Sequence, residues 1–111
     1  MGTGKLITFA FCSVLAAWAW PQTSTALTEE RERELRYLVR QDCGSCHGMT
    51  LKGGLGPPLT AEALADRSDG LLTATILDGR PGTAMPPWRP FLSEEETAWI
   101  VEQLTAGTVS P

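Results

Sequence analysis

The sequence predicts an all-α fold, about four short helices joined by long loops. Three observations lead there. Apolar residues recur at helical spacing in several segments, no segment alternates polar and apolar residues as a half-buried strand would, and 11 Gly and 8 Pro crowd the stretches between. A length of 111 residues leaves room for one compact unit.

Taken in order, residues 1–26 read as a secretory leader rather than as part of the fold. "MGTGK" supplies a positive start and "LITFAFCSVLAAWAW" an apolar run, and Ser24 with Ala26 fits a small-x-small cleavage site. The run is shorter than the roughly 20 residues a spanning helix needs. Cleavage, export to the periplasm and no stable membrane insertion afterwards are therefore expected, and Cys12 leaves with the leader. Residues 27–111 are the mature domain. Thr28 caps its first helix, with Glu29 and Glu30 in the first turn and Leu35, Leu38 and Val39 on one stripe. Glu29 with Arg33 and Glu32 with Arg36 are i,i+4 pairs on a solvated face. "GMTLKGGLGPP" is a loop; Thr60 opens the short helical stretch "AEALADR". Ser68 caps "DGLLTATIL", where Leu72 and Ile76 share a face and Gly79 ends the helix. "RPGTAMPPWRPF" is again a loop. Ser93 and Glu96 form a capping box for the last helix, whose Trp99, Ile100 and Leu104 recur at core spacing.

The mature segment keeps eight basic and thirteen acidic residues, a formal charge of −5. This argues against nucleic acid or anionic lipid as the main partner and favours a positively charged docking surface. So short a domain, half of it loop, buries little apolar surface of its own, and Cys43 and Cys46 alone are no disulfide framework. A large flat apolar cofactor would supply the missing core.

"QDCGSCHGMT", residues 41–50, says which one. A structural zinc site needs four ligands and no second cluster exists; a thioredoxin-like dithiol wants a strand before it, where this chain has a helix. C-x-x-C-H fits covalent attachment of one haem c, with each thiol forming a thioether and His47 reaching the iron. His47 is the only histidine, so a second imidazole from this chain is excluded and the sixth ligand is sought among soft neutral groups. Met1 goes with the leader and Met49 lies too close to His47 to reach the other face of the ring. Met85, in a loop stiffened by Pro86 and Pro87, is the distal ligand by elimination.

"CGSCH", "GPPL" and "AMPPW", in this order between a first helix and a capped last helix, resemble the class I cytochrome c fold over residues 28–106. The resemblance implies that the carbonyl of Pro57 accepts a hydrogen bond from the Nδ1–H of His47, which would fix the ring's tautomer. That family usually carries a glycine where the first and last helices cross. Here "RELRYLV" has none, so Leu35 and Tyr37 are expected to space the crossing. More narrowly, "YLVRQDCGSCHGMTLKGGLGP" and "LDGRPGTAMPPW" resemble the small cytochromes of the c55X type, associated with cytochrome cd1 nitrite reductase.

A haem iron with two protein ligands has no vacant site for substrate, so the function expected is outer-sphere transfer of single electrons by a monomeric carrier rather than enzymatic turnover. Trp88 and Arg80 are candidates for the haem propionates, as against a packed loop aromatic and a solvated arginine; Lys52 and Arg89 are candidate docking charges. The resemblance implies cytochrome cd1 nitrite reductase as the redox partner. Two other readings stand beside the carrier: a redox accessory or binding partner of haem d1 assembly proteins, and, if Met85 leaves the iron, a gas-binding or peroxidase haem protein.

Overall fold

The computed structural model describes residues 1–2 and 26–109, and nearly all of the leader read from residues 1–26 lies outside them, as does Cys12. Among the described residues the regular structure is entirely helical, as the spacing predicts: α1 Glu29–Leu38, α2 Gly44–His47, α3 Ala61–Leu64, α4 Asp69–Asp78 and α5 Glu94–Thr105. None of these helices is long and apolar enough to cross a membrane.

Four of the five starts, all but that of α2, follow from a side-chain oxygen placed to meet an otherwise unpaired N–H. Thr28, Thr60, Ser68 and Ser93 accept from the N–H groups of Arg31, Ala63, Leu71 and Glu96. At α5 the capping box is complete, because Glu96 also accepts from the Ser93 N–H at 2.9 Å. The "AEALADR" stretch is helical only to Leu64 and then breaks into turns.

The sequence reading missed what joins α1 to α2. Val39–Cys43 forms a π-helical turn, and the Gly44 N–H reaches back five residues to the Val39 carbonyl. One extra residue in the turn rotates everything after it relative to α1. The cysteines and the histidine therefore ride on the end of a nearly continuous helix, turned away from the register α1 would have given them.

α5 is the central post, in contact with α1, α3 and α4. It buries Thr97, Ile100, Val101 and Leu104. Leu35 and Val39 meet it from the α1 side, and Leu51, Leu64, Leu77, Leu92 and Val109 complete the core. Thr97, fully buried, donates its hydroxyl to the Ser93 carbonyl at 2.8 Å and so leaves no polar atom unpaired. Arg31 ties the two end helices together, its Nε donating to Glu96 at 2.6 Å while another nitrogen reaches Glu34 at 2.7 Å. That network draws Glu96 below the usual carboxylate range, chiefly through the Arg31 hydrogen bond.

Two details of α1 differ from expectation. Leu35 is fully buried at the helix crossing, but Tyr37 is 67% exposed and takes no part in it. One turn of α1 is 3.6 residues, so position 37 points about 200° away from position 35. Among the described residues Glu29 and Arg33 form no ion pair; Arg36 approaches Glu32 at 3.9 Å and lies 4.9 Å over the ring of Trp99, which packs half-buried at the edge of the core.

Candidate functional site

The wall that carries the cysteines is fixed by backbone bonds. The segment after His47 folds back on α2: the Gly53 N–H donates to the His47 carbonyl at 2.8 Å and the Gly56 N–H to the Cys46 carbonyl at 2.7 Å. These satisfy carbonyls that a helix end leaves open. Leu51, buried at the centre of this loop, holds a left-handed φ of 59°, uncommon for a branched residue, and its carbonyl accepts from Leu59 at 2.8 Å.

The loop brings the Pro57 carbonyl to 2.7 Å from His47 Nδ1. A carbonyl only accepts, so Nδ1 must carry the proton and the lone pair is left on Nε2. Gly56 packs directly against the ring. A Cβ there would stand 2.7 Å from both Cε1 and Nδ1 of His47, so only glycine lets the loop approach so closely.

The two thiols are unequal. Cys43 is partly buried and burial, reinforced by the Asp42 carboxylate, pushes its thiol up to about 11. Cys46 is exposed beside Ser45, whose hydroxyl is committed to the Asp42 carbonyl at 2.7 Å. At neutral pH Cys43 is a protonated thiol.

Met85 arrives on the loop after α4. Gly79 ends that helix with φ 68°, and a Cβ on it would fall 2.7 Å from the Met85 carbonyl oxygen; the position requires glycine on both counts. Trp88 and Arg89 return the chain to α4, their N–H groups donating to the carbonyls of Ile76 and Leu77, both at 3.0 Å.

Between these walls lies a cavity of about 770 Å³. All seven residues singled out in the sequence line it: Cys43, Cys46, His47, Pro57, Arg80, Met85 and Trp88. Its floor is apolar, from Leu59, Leu64, Leu72, Ile76, Leu92, Ile100 and Leu104. Trp88 stands edge-on to Phe91 with ring centres 6.0 Å apart. Met49 and Lys52 do not line the cavity, and Arg89 is not a free docking charge: its guanidinium donates twice to Asp78 Oδ1, at 2.9 and 2.7 Å, and approaches Glu94 at 3.5 Å. Sequence reasoning missed Arg67, Asp42 and Thr75 on the cavity wall, where no motif or spacing marks them. A second depression, about 300 Å³ beside Leu27, Ser93, Glu95 and Glu96, holds none of the donor groups.

The donor set has a definite chemistry. Two thiols, an imidazole with Nε2 free and a thioether open into one apolar cavity whose size is in the range that encloses a small-molecule cofactor. Soft sulfur and nitrogen donors with an apolar surround suit a haem c, and the residues present fit that group.

Comparison with known proteins gives the same direction. A family profile described as "Cytochrome C oxidase, cbb3-type, subunit III" matches residues 30–103. A protein of Paracoccus denitrificans (strain Pd 1222) named cytochrome c55X is 61% identical over 74 residues, covering 67% of this chain and 72% of that one. A solved structure described as "c-type cytochrome NirC" superposes with a TM-score of 0.75 at 49% identity, covering 77% of this chain and all of the other. A dihydro-heme d1 dehydrogenase of Pseudomonas aeruginosa (strain PAO1) is 31% identical over 101 residues, which span 78% of this chain but 20% of the dehydrogenase.

Proposed function

The chain belongs to the c-type cytochromes, in the group named cytochrome c55X, and from that premise we propose that it is a periplasmic carrier of single electrons. One observation carries the reading. The only imidazole of the chain, both mature cysteines and the Met85 thioether line the same cavity, with the tautomer of His47 set by Pro57. Cys43 and Cys46 would hold one haem c covalently, and His47 and Met85 would both ligate its iron. When bound, the haem supplies a one-electron change between ferric and ferrous iron.

The chain's own residues account for the rest. The Pro57 carbonyl holds the His47 Nδ1 proton, which keeps Nε2 a good donor and fixes the plane of the ring. Met85 contributes a neutral, soft donor, which favours the reduced state over a second imidazole. Leu72 and Ile76 of α4 and Ile100 and Leu104 of α5 line the cavity and would keep water from the bound haem, limiting reorganisation between its two oxidation states. Arg80 and Trp88 would pair with the propionates, Arg80 as a charged fork and Trp88 through its indole N–H. With His47 and Met85 both holding the iron, no position would be left for substrate, and the protein is read as a carrier and not an enzyme.

The likeness of its loops to c55X-type cytochromes supports cytochrome cd1 nitrite reductase as the redox partner. Similarity to a dihydro-heme d1 dehydrogenase supports a second setting, in which the same carrier takes electrons released while haem d1 is made. Stopped-flow mixing of the reduced and oxidised protein with each enzyme separates the two.

The test of the central claim is an absorption spectrum of the exported protein in both oxidation states, repeated on Met85→Ala. A weak near-infrared band in the ferric protein that vanishes in Met85→Ala is the expected result. A high-spin spectrum that readily binds added ligands in the unaltered protein would overturn it.

A further inference from the structure

Met85 has a long side chain with three rotatable bonds, so its position depends on how firmly its backbone is held. Within the loop that backbone is rigid. The Met85 N–H donates to the Thr83 hydroxyl at 3.3 Å, that hydroxyl donates to the Arg80 carbonyl at 2.7 Å, and the Arg80 N–H donates to the Met85 carbonyl at 3.2 Å. Both polar groups of the Met85 residue are thereby engaged inside the loop. On its other side Pro86 and Pro87 fix two successive φ angles. The loop joins α4 at Gly79 at one end; at the other the Trp88 and Arg89 N–H groups hold the Ile76 and Leu77 carbonyls at 3.0 Å and the Arg89 side chain reaches Asp78.

At the second attachment the sequence breaks a local rule. Asp78 is the last residue of α4, whose last turn holds no basic residue, so its carboxylate faces the negative end of the helix dipole. Nothing about helix stability favours an acid there. Its one evident compensation is the Arg89 guanidinium, which closes on Oδ1 across 11 residues with two hydrogen bonds. Arg89 is held in turn against Glu94 at the start of α5.

Resting on the reading of Met85 as the distal ligand, we propose that Asp78 and Arg89 are positioning residues for it, a clasp that keeps the rigid 80–88 loop closed on α4. When the clasp opens, only the Trp88 and Arg89 backbone bonds still close that end on α4; as they part too, the loop swings about Gly79 and would draw Met85 from the haem iron, where an added donor would replace it, one iron–sulfur bond breaking as one iron–nitrogen bond forms. The pair is solvent-exposed, with side-chain exposures of 52% and 57%. The clasp is therefore weak and salt-sensitive, suited to setting a ligand equilibrium rather than to supporting the fold.

The experiment is a titration of the ferric haem-loaded protein with imidazole, at low and high ionic strength, following the near-infrared band. Asp78→Asn, Arg89→Gln, the double variant and Met85→Ala are compared with the parent, and thermal unfolding is measured on each. Each single variant should bind imidazole roughly two- to fivefold more tightly and lose the salt dependence, and the double variant should go no further than either single one. Asp78→Asn should do this with no loss of thermal stability, since it relieves the helix end; a purely structural ion pair would lower stability and leave imidazole binding alone. Arg89→Lys, which keeps the charge, should restore the salt dependence in part. Imidazole affinity and salt dependence unchanged in both single variants would overturn the clasp, while the band's presence in the parent and loss in Met85→Ala would still uphold the ligand. A parent protein without the band overturns both.

Discussion

Gly56 offers the sharpest probe of how the His47 ring is held. An added Cβ would stand 2.7 Å from Nδ1 and Cε1, whereas ordinary contact begins near 3.4 Å, so ring and loop must part by about 0.7 Å. The ring has little room to yield, being tied to the Pro57 carbonyl at 2.7 Å and carried by a helix end that the Gly53 and Gly56 N–H groups clamp. Overpacking of this kind costs about 1–3 kcal/mol, and stretching the His47 hydrogen bond beyond reach about 1 more, which makes roughly 2–4 kcal/mol in Gly56→Ala. For a domain of this size that corresponds to a fall in Tm of roughly 10–25 °C. The assay is thermal unfolding of the haem-loaded protein by circular dichroism, with the reduction potential measured in parallel to report the altered donor. Gly70 serves as the control, because nothing lies within 4 Å of a Cβ added there. Gly70→Ala should be neutral or should stabilise by about 0.4–1 kcal/mol through the unfolded chain. A Gly56→Ala variant that unfolds within about 4 °C of the parent, less than 1 kcal/mol, would refute the close approach.

Other expectations follow from the same geometry. Gly79→Ala sets a side chain against the Met85 carbonyl at 2.7 Å and against an unfavourable φ, so the near-infrared band should weaken or vanish while the far-ultraviolet spectrum stays helical. Leu35→Ala, at a fully buried position of the α1/α5 crossing, should cost about 2–5 kcal/mol in denaturant unfolding. Glu96 titrates below its ordinary value of 4.5 in the folded state, so its stabilising contribution is fully present above that value and is lost as pH falls through the depressed one. Stability curves of the parent and Glu96→Gln should therefore run apart above pH 4.5 and converge in more acid solution; curves that stay parallel would contradict the Arg31–Glu96 pairing.

Much of the fold was legible because caps and periodicity are local. Thr28, Thr60, Ser68 and Ser93 mark helix starts by what their own oxygens can reach, and a window of four residues contains the whole signal. The cavity donors were legible for a different reason: C-x-x-C-H is short, and elimination among one histidine and three methionines leaves few choices. The π-helical turn at Val39–Cys43 was not, since its residues are ordinary helix residues and nothing in their local pattern marks the extra one. Arg67 and Thr75 belong to the same class, placed by the path of the chain rather than by any pattern around them. Tyr37 was misjudged because a family habit at the crossing was read onto a position that the helical repeat turns outward. The ion pair of Arg89, a candidate docking charge, was not legible, because its partner Asp78 lies 11 residues back and meets it only when the loop closes.

The Arg31–Glu96 bridge joins residues 65 apart in sequence. In a growing or translocating polypeptide, α1 is made early and α5 almost last, so the first helix has no packing partner until nearly the whole domain has appeared. Contacts of such long separation slow the final collapse, because the chain between them must be ordered before they repay its closure. Loss of α5 should then leave α1 without the partner that buries Leu35, and loss of α1 should leave Glu96 without Arg31. The helix synthesised first is the last to be secured.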